Sequence, residues 1–77
     1  MKQNKAFSLV KKQLARARTK FDNFHGPHEG YAVIKEELDE LWDDVKRDNI
    51  EDACKEAAEV AACAIRFIMD LSEGKSK

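Results

Sequence analysis

The chain has 77 residues, of which 14 are lysine or arginine and 15 are aspartate or glutamate, and its formal net charge is −1. This length allows one domain with a modest core, so the subunit would be marginally stable without disulfides, a metal ion or association with other subunits. The balanced charge argues against nucleic acid as the partner, because a strongly basic arm is offset by a strongly acidic segment.

No segment has the properties of a membrane span or a secretory signal. The apolar runs are much shorter than the ~20 residues that cross a bilayer, and the N-terminal run FSLV is too short for a signal peptide. Cys54 and Cys63 lie on roughly opposite faces of a helical stretch, at ~100° per residue, so they cannot bridge to each other. Their alanine neighbours predict small buried thiols. Together these features predict a reduced, cytoplasmic protein with no membrane partner.

The first predicted helix covers about residues 3–22. Residues 1–20 contain seven lysines and arginines and no acid. We therefore expect this basic helix to face the acidic part of the chain, or an anion held beside it. Gly26, Pro27 and Gly30 end the helical pattern and mark a loop. Apolar residues recur in this segment at alternating spacings of three and four, which is one stripe of a helix: Phe7, Val10, Leu14, Ala17, Phe21 and Phe24.

Two further helices follow, at about residues 28–47 and 50–72, with 73–77 as a frayed tail. Between them, Asp48 with Glu51, or Asn49 with Asp52, has the spacing of a capping box. No alternating strand pattern is present, so residues 1–77 are predicted to form one all-α domain with an antiparallel acidic hairpin. The stripe of the second helix has Trp42 beside it and contains Tyr31, Ile34, Leu38, Leu41 and Val45.

Small side chains surround the third predicted helix almost completely, which allows neighbouring backbones to approach it closely. Glu56 and Glu59 lie within this small-residue zone, where a charge is costly unless it is paired or bound to a metal. One hairpin cannot cover such a helix on all sides. We therefore expect a homo-oligomer, a dimer or a tetramer, that completes a four-helix-bundle-like core.

Two pairs of glutamates have the spacing of a shared cation site. Glu37 and Glu40 are three residues apart, as are Glu56 and Glu59, so each pair lies on one side of its helix. The short turn places both pairs at similar heights along the hairpin. Oxygen ligands of this kind suit Mg²⁺ and metal-assisted phosphate chemistry. The alternative is an ordinary solvated acidic face, which is common on helices.

These acidic motifs are similar to a known signature. EELDEL at residues 36–41 and EAAE at residues 56–59 resemble the EExxE and ExxD motifs of MazG-like nucleoside triphosphate pyrophosphohydrolases, all-α enzymes related to the dimeric dUTPases. The lead-in ARARTKFDNFHGPHEGYAVI resembles that of small phage-type members, so the likeness covers about residues 12–71. The family cleaves nucleoside triphosphates between the α and β phosphates, giving the monophosphate and pyrophosphate, and often clears non-standard nucleotides.

The resemblance implies a role for each motif residue. Glu37, Glu40, Glu56 and Glu59 would bind Mg²⁺, with Mn²⁺ as a substitute. Glu36 and Glu37 would be the catalytic residues, with Glu36 assisting a ligand or the attacking water. Glu59 replaces the usual aspartate of the second motif. Longer members have further basic and asparagine residues after this helix, so basic residues elsewhere would bind the phosphates here: Arg16, Arg18, Lys20 or Arg66.

Several residues have a structural and a functional interpretation. Trp42 and Tyr31 could stack on a nucleobase, but aromatic residues beside a helical stripe are more often core. His25 and His28 could contact phosphate or be incidental loop residues, and Arg66 could contact phosphate or pair with Asp70. No nucleophile–base pair, glycine-rich phosphate loop or zinc spacing is visible. The alternative function is a non-catalytic helical oligomerisation or nucleotide-binding module.

Overall fold

Three helices form the chain, in the order that the sequence predicts. The computed structural model describes residues 1–72, which contain α1 (Gln3–Lys20), α2 (Pro27–Lys46) and α3 (Ile50–Phe67). The all-α class is therefore confirmed. The third predicted helix is corrected at its end, because a π-helical turn, Ile68–Ser72, follows α3. The predicted tail, 73–77, lies outside the described residues, and within residues 1–72 no helix combines the length and the apolar character that a bilayer span requires.

The central helix is α3, which packs against both α1 and α2. Its contact faces carry small side chains, so the outer helices approach its backbone closely. Cys63 is buried there, as predicted, but Cys54 is exposed, and the prediction of a buried thiol is wrong for this residue. Cys54 follows a buried alanine and is turned ~100° away from it. The buried alanines of α3 are Ala53, Ala58 and Ala62.

A tight turn holds α2 and α3 side by side. Asp48 adopts the left-handed conformation, with φ of 59°, which reverses the chain after α2. Asn49 caps α3: its Oδ1 accepts a hydrogen bond from the Asp52 N–H at 3.2 Å, and its Nδ2 donates to the Asp52 carboxylate at 2.8 Å. Of the two capping pairs that the sequence allows, the structure uses Asn49 with Asp52.

The connector between α1 and α2 is held by the C-terminal end of the molecule. The backbone N–H of Phe24 donates to Asp70 Oδ2 at 2.9 Å, and Arg18 Nη1 lies 3.6 Å from the same carboxylate, whose side chain is 3% exposed. Arg66 stacks on the Phe24 ring at 4.3 Å and donates to the Asp22 carbonyl oxygen at 3.1 Å. Asp70 thus pairs with Arg18, and Arg66 is directed to the connector instead.

The interpretation of Trp42 and Tyr31 as core residues is wrong for the isolated subunit. Trp42 is 58% exposed and Tyr31 is 65% exposed. The reason is the rotation of α2: its side toward α3 carries Glu37, Leu41 and Asp44, which are half-buried. Trp42 directly follows Leu41, and Tyr31 directly follows the buried Gly30. Each aromatic side chain is therefore turned ~100° away from the side that packs on α3.

The close contact at Gly30 gives a prediction about stability. A Cβ atom added at Gly30 would lie 2.6 Å from Phe67 Cδ2 and 3.4 Å from Phe24 Cδ2. Overpacking of this kind destabilises a protein by about 1–3 kcal/mol. Replacing a helical glycine with alanine stabilises the helix by about 1 kcal/mol. The net effect is a loss of up to about 2 kcal/mol, so we expect Gly30→Ala to lower the free energy of unfolding in urea titrations.

The matched control is Gly26→Ser. Gly26 precedes α2 as its N-cap, and a Cβ atom there would meet nothing within 4 Å. Serine is a good N-cap residue, so this variant should be at least as stable as the original protein. A Gly30→Ala protein with unchanged stability would show that the Phe67 ring does not fix this contact.

Candidate metal centre and adjoining cleft

Three of the four glutamates that the sequence assigns to metal binding lie together. One carboxylate oxygen each of Glu37, on α2, and of Glu56 and Glu59, on α3, are within 4.8 Å of one another. All three residues are half-buried. Glu56 and Glu59 are nearly one helical turn apart, so both reach the side of α3 that faces α2. The tight α2–α3 turn brings Glu37 to the same height.

Burial and mutual repulsion make this group unfavourable when it is fully ionised. The pKa of Glu56 is raised to about 8, first by its removal from water and then by the negative charges of Glu59 and Glu37. The pKa of Glu37 is also raised, again mainly by burial and then by Glu40 and Glu59. Without a cation, the carboxyl group of Glu56 therefore keeps its proton well above the usual pH range of glutamate.

Two carboxylate oxygen atoms of this group lack a hydrogen-bond partner among residues 1–72. Glu37 Oε1 and Glu56 Oε2 are both shielded from solvent, and neither has a hydrogen-bond donor among residues 1–72. A proton held between the two carboxyl groups would satisfy them, and so would a divalent cation. The three carboxylates supply hard oxygen ligands, which Mg²⁺ and Mn²⁺ prefer. The residues present therefore fit such an ion.

Glu40 and Glu36 occupy the edges of this group. Glu40 is exposed and is not one of the three clustered carboxylates, although its charge contributes to the raised pKa of both Glu37 and Glu56. Glu36 is exposed and lines the cleft beside the cluster. The structure thus brings together three of the predicted ligands, with the fourth predicted ligand and the predicted catalytic residue near them.

A cleft adjoins the carboxylate group. Its volume is about 430 Å³, and it lies between α1 and α2, over α3. Glu37 and Glu59 form part of its wall. The cleft also contains three basic side chains that the sequence assigns to phosphate binding, namely Arg16, Lys20 and Arg66. A single opening therefore joins acidic and basic groups.

Arg66 is the most unusual of the three basic residues, because it is only 5% exposed. Its guanidinium group stacks on Phe24 and contacts the ring of Phe21 at 5.7 Å, and it forms no ion pair with a carboxylate among residues 1–72. A buried cation without a counter-ion is costly. An anionic ligand in the cleft would reduce that cost.

Other sequence candidates take different positions. Arg18 is paired with Asp70 and does not line the cleft. His25 lines the cleft, whereas His28 and Tyr31 do not. The pKa of the Cys63 thiol is raised, chiefly by burial and then by the charge of Glu37, so this cleft residue stays neutral and is a poor nucleophile.

The α1–α2 connector contributes to the cleft in a way that the sequence pattern does not predict. Phe21, Asp22 and Asn23 all line the cleft, together with Phe24 and His25. These residues belong to the lead-in that resembles phage-type members, but His25 is the only one of them that the sequence marks as a candidate for phosphate contact. The signal for Phe21 and Phe24 is their position beside a basic helix, but their spacing predicts an apolar stripe and not a cleft wall.

Comparison with protein families, curated proteins and solved structures finds no match to this chain. The motif resemblance and the geometry of the described residues are therefore the basis for the functional proposal.

The raised pKa of Glu56 predicts a pH dependence of stability. Its value is 4.5 when unperturbed and about 8 in the folded protein, so the folded state binds more protons than the unfolded state between these limits. The free energy of unfolding should therefore fall as pH rises from about 4.5 to about 8 in metal-free buffer. Urea titrations at a series of pH values would measure this fall.

Glu56→Gln should flatten this pH dependence and make the protein more stable at pH 8, because the repulsive charge is removed. Glu51→Gln is the matched control, since Glu51 is an exposed residue of the first turn of α3. A pH dependence that is the same in Glu56→Gln and in the original protein would contradict the electrostatic account.

Proposed function

We propose that this protein is a Mg²⁺-dependent nucleoside triphosphate pyrophosphohydrolase, which converts a nucleoside triphosphate to the monophosphate and pyrophosphate. The main supporting observation is the convergence of Glu37, Glu56 and Glu59 within 4.8 Å at the wall of a cleft that also contains basic side chains. A magnesium polyphosphate has the matching charge pattern, with a cation at one end and phosphate oxygens beyond it.

The carboxylates have two roles in this proposal. Glu37, Glu56 and Glu59 hold the divalent ion, which when bound would neutralise phosphate charge and make a coordinated water more acidic. Glu36 lies at the cleft beside them and accepts a proton from the attacking water. The water oxygen forms a bond to one phosphorus atom of the α–β anhydride, and the bridging oxygen leaves with the other phosphate.

The basic residues bind the phosphates. Arg16 and Lys20 line the cleft from α1, and both are exposed to solvent. Arg66 lies deeper and has its planar guanidinium group fixed between the connector and α3. Arginine suits bidentate binding of phosphate oxygens. These side chains orient the polyphosphate against the carboxylate group.

The alternative of a purely electrostatic helical module has less support. That alternative requires the basic side chains of α1 to pair with the acidic face of α2 and α3. Within residues 1–72, the ion pair between Arg18 and Asp70 is the only one that joins α1 to another part of the chain. Arg16 and Lys20 instead line an open cleft.

The proposal is tested by measuring pyrophosphate release from standard and modified nucleoside triphosphates with Mg²⁺ or Mn²⁺. Glu37→Gln and Glu56→Gln should each lower kcat/KM by about 100-fold or more, because each removes a charged ligand and keeps the side-chain shape. The control Glu51→Gln should retain activity. A similar loss of activity in Glu40→Gln would indicate a site of four carboxylates, and retained activity would indicate a site of three.

Activity that survives both Glu37→Gln and Glu56→Gln would contradict the site assignment. Lack of release from every nucleotide, with Mg²⁺ still raising the melting temperature at constant ionic strength, would contradict the enzymatic proposal and support a nucleotide-binding module. A melting temperature that does not change with Mg²⁺ and falls in high salt would support the electrostatic module.

A further inference from the structure

Arg18 is a basic residue of α1 that does not line the cleft, although the resemblance suggests it as one of the phosphate-binding residues. Its Nη1 atom lies 3.6 Å from Asp70 Oδ1. The Asp70 side chain is 3% exposed, and its second oxygen, Oδ2, accepts a hydrogen bond of 2.9 Å from the Phe24 N–H. Each oxygen of this buried carboxylate therefore has its own partner.

Arg66 is the cation that the sequence places beside the same carboxylate. It precedes Asp70 by four residues, a spacing at which side chains on a helix are neighbours and opposite charges attract. That pair does not form, because Arg66 has no carboxylate partner among residues 1–72. Its guanidinium group instead donates to the Asp22 carbonyl oxygen at 3.1 Å and stacks on the Phe24 ring at 4.3 Å.

We propose that Arg18 is a positioning residue: its pairing with Asp70 keeps that carboxylate away from Arg66, whose positive charge stays available for an anion in the cleft. This role rests on the proposed binding of phosphate in the cleft. Arg18 acts through Asp70 and touches no ligand itself. The charge of the cleft is therefore set by an ion pair that lies outside it.

The burial of both groups explains why a second cation is needed. Arg66 is 5% exposed and the Asp70 side chain is 3% exposed, so each is costly when it is unpaired. Without Arg18, Oδ1 of Asp70 would have no charged partner, and a turn of the carboxylate toward Arg66 would supply one. Oδ2 can keep the Phe24 N–H during this turn, because a carboxylate accepts hydrogen bonds at both oxygens. The cleft would then contain a neutral pair in place of a free cation.

The loss of this charge would be felt in the cleft because Arg66 is the only buried one of its three arginine and lysine side chains. Arg16 and Lys20 are exposed, so water and salt screen their charges more strongly. A phosphate group gains most from the screened-off guanidinium group of Arg66. It therefore loses most when Asp70 competes for that group.

Calorimetric titration of the full chain with imidotriphosphate, an inorganic triphosphate that resists hydrolysis, tests this role in buffer with Mg²⁺. Arg18→Met should raise the Kd about tenfold, because an internal ion pair replaces a charge-assisted contact between Arg66 and phosphate. Arg18→Lys keeps the charge and should retain binding. Circular dichroism would verify that each variant is folded.

The matched control is Lys11→Met, which removes the same charge from the same side of α1. Lys11 is exposed, lies seven residues before Arg18, and belongs neither to the cleft nor to an ion pair among residues 1–72. This variant measures the general effect of one positive charge on anion binding. Its Kd should rise by about twofold or less, since salt screens an exposed distant charge.

A double variant separates positioning from a loss of charge or of stability. Asp70→Asn keeps a side-chain oxygen for the Phe24 N–H and removes the charge that competes for Arg66. Asp70→Asn alone should therefore bind the triphosphate at least as tightly as the original protein. Arg18→Met combined with Asp70→Asn should restore the binding that Arg18→Met loses, which a distorted connector or a weakened fold would not allow.

An unchanged Kd in Arg18→Met, or a loss that Asp70→Asn does not restore, would overturn the proposal. Restored binding in the double variant, without pyrophosphate release from any nucleotide, would support the role of Arg18 and contradict the enzymatic proposal. Absence of triphosphate binding by the original protein would overturn both the role of Arg18 and the phosphate contact of Arg66.

Discussion

Close approach to α3 is the constraint on which the rest of the structure depends. Both outer helices pack on this helix, and three of its five buried residues are alanines. Small side chains allow the backbone of α2 to come near enough for Glu37 to reach Glu56 and Glu59. Larger residues at these positions would separate the helices and return the glutamates to solvent. The same small side chains that permit packing therefore create the carboxylate cluster.

The carboxylate cluster is costly when it is fully ionised. Burial raises the pKa of Glu56 to about 8, so protonation relieves the repulsion when no cation is bound. Arg66, a buried residue of α3 that also lines the cleft, carries the opposite charge without an ion-pair partner among residues 1–72. Asp70 and Arg66 both hold the connector, and the connector shapes the cleft between these groups. A ligand that combines a cation with an anion would satisfy both.

Much of this arrangement follows from local sequence patterns. The apolar stripes predict three helices, and the two ExxE pairs predict which faces carry the acids. The spacing predicts a cap before the third helix, formed either by Asp48 with Glu51 or by Asn49 with Asp52. The rotation of α2 about its axis could not be predicted, because it depends on the tertiary fit to α3. That rotation exposes Trp42 and leaves Glu40 outside the three-carboxylate group. The burial of Arg66 beneath Phe24 also depends on contacts between residues distant in sequence.

The central claim is that Glu37, Glu56 and Glu59 together bind one divalent cation. The most direct test is calorimetric titration of Mg²⁺ or Mn²⁺ at pH 7 in buffers of different ionisation enthalpy, which counts the protons released on binding. Because Glu56 holds a proton at this pH, we predict release of about one proton per ion, and loss of this release in Glu56→Gln. Absence of binding at millimolar metal, or binding without proton release that survives Glu56→Gln, would contradict the account.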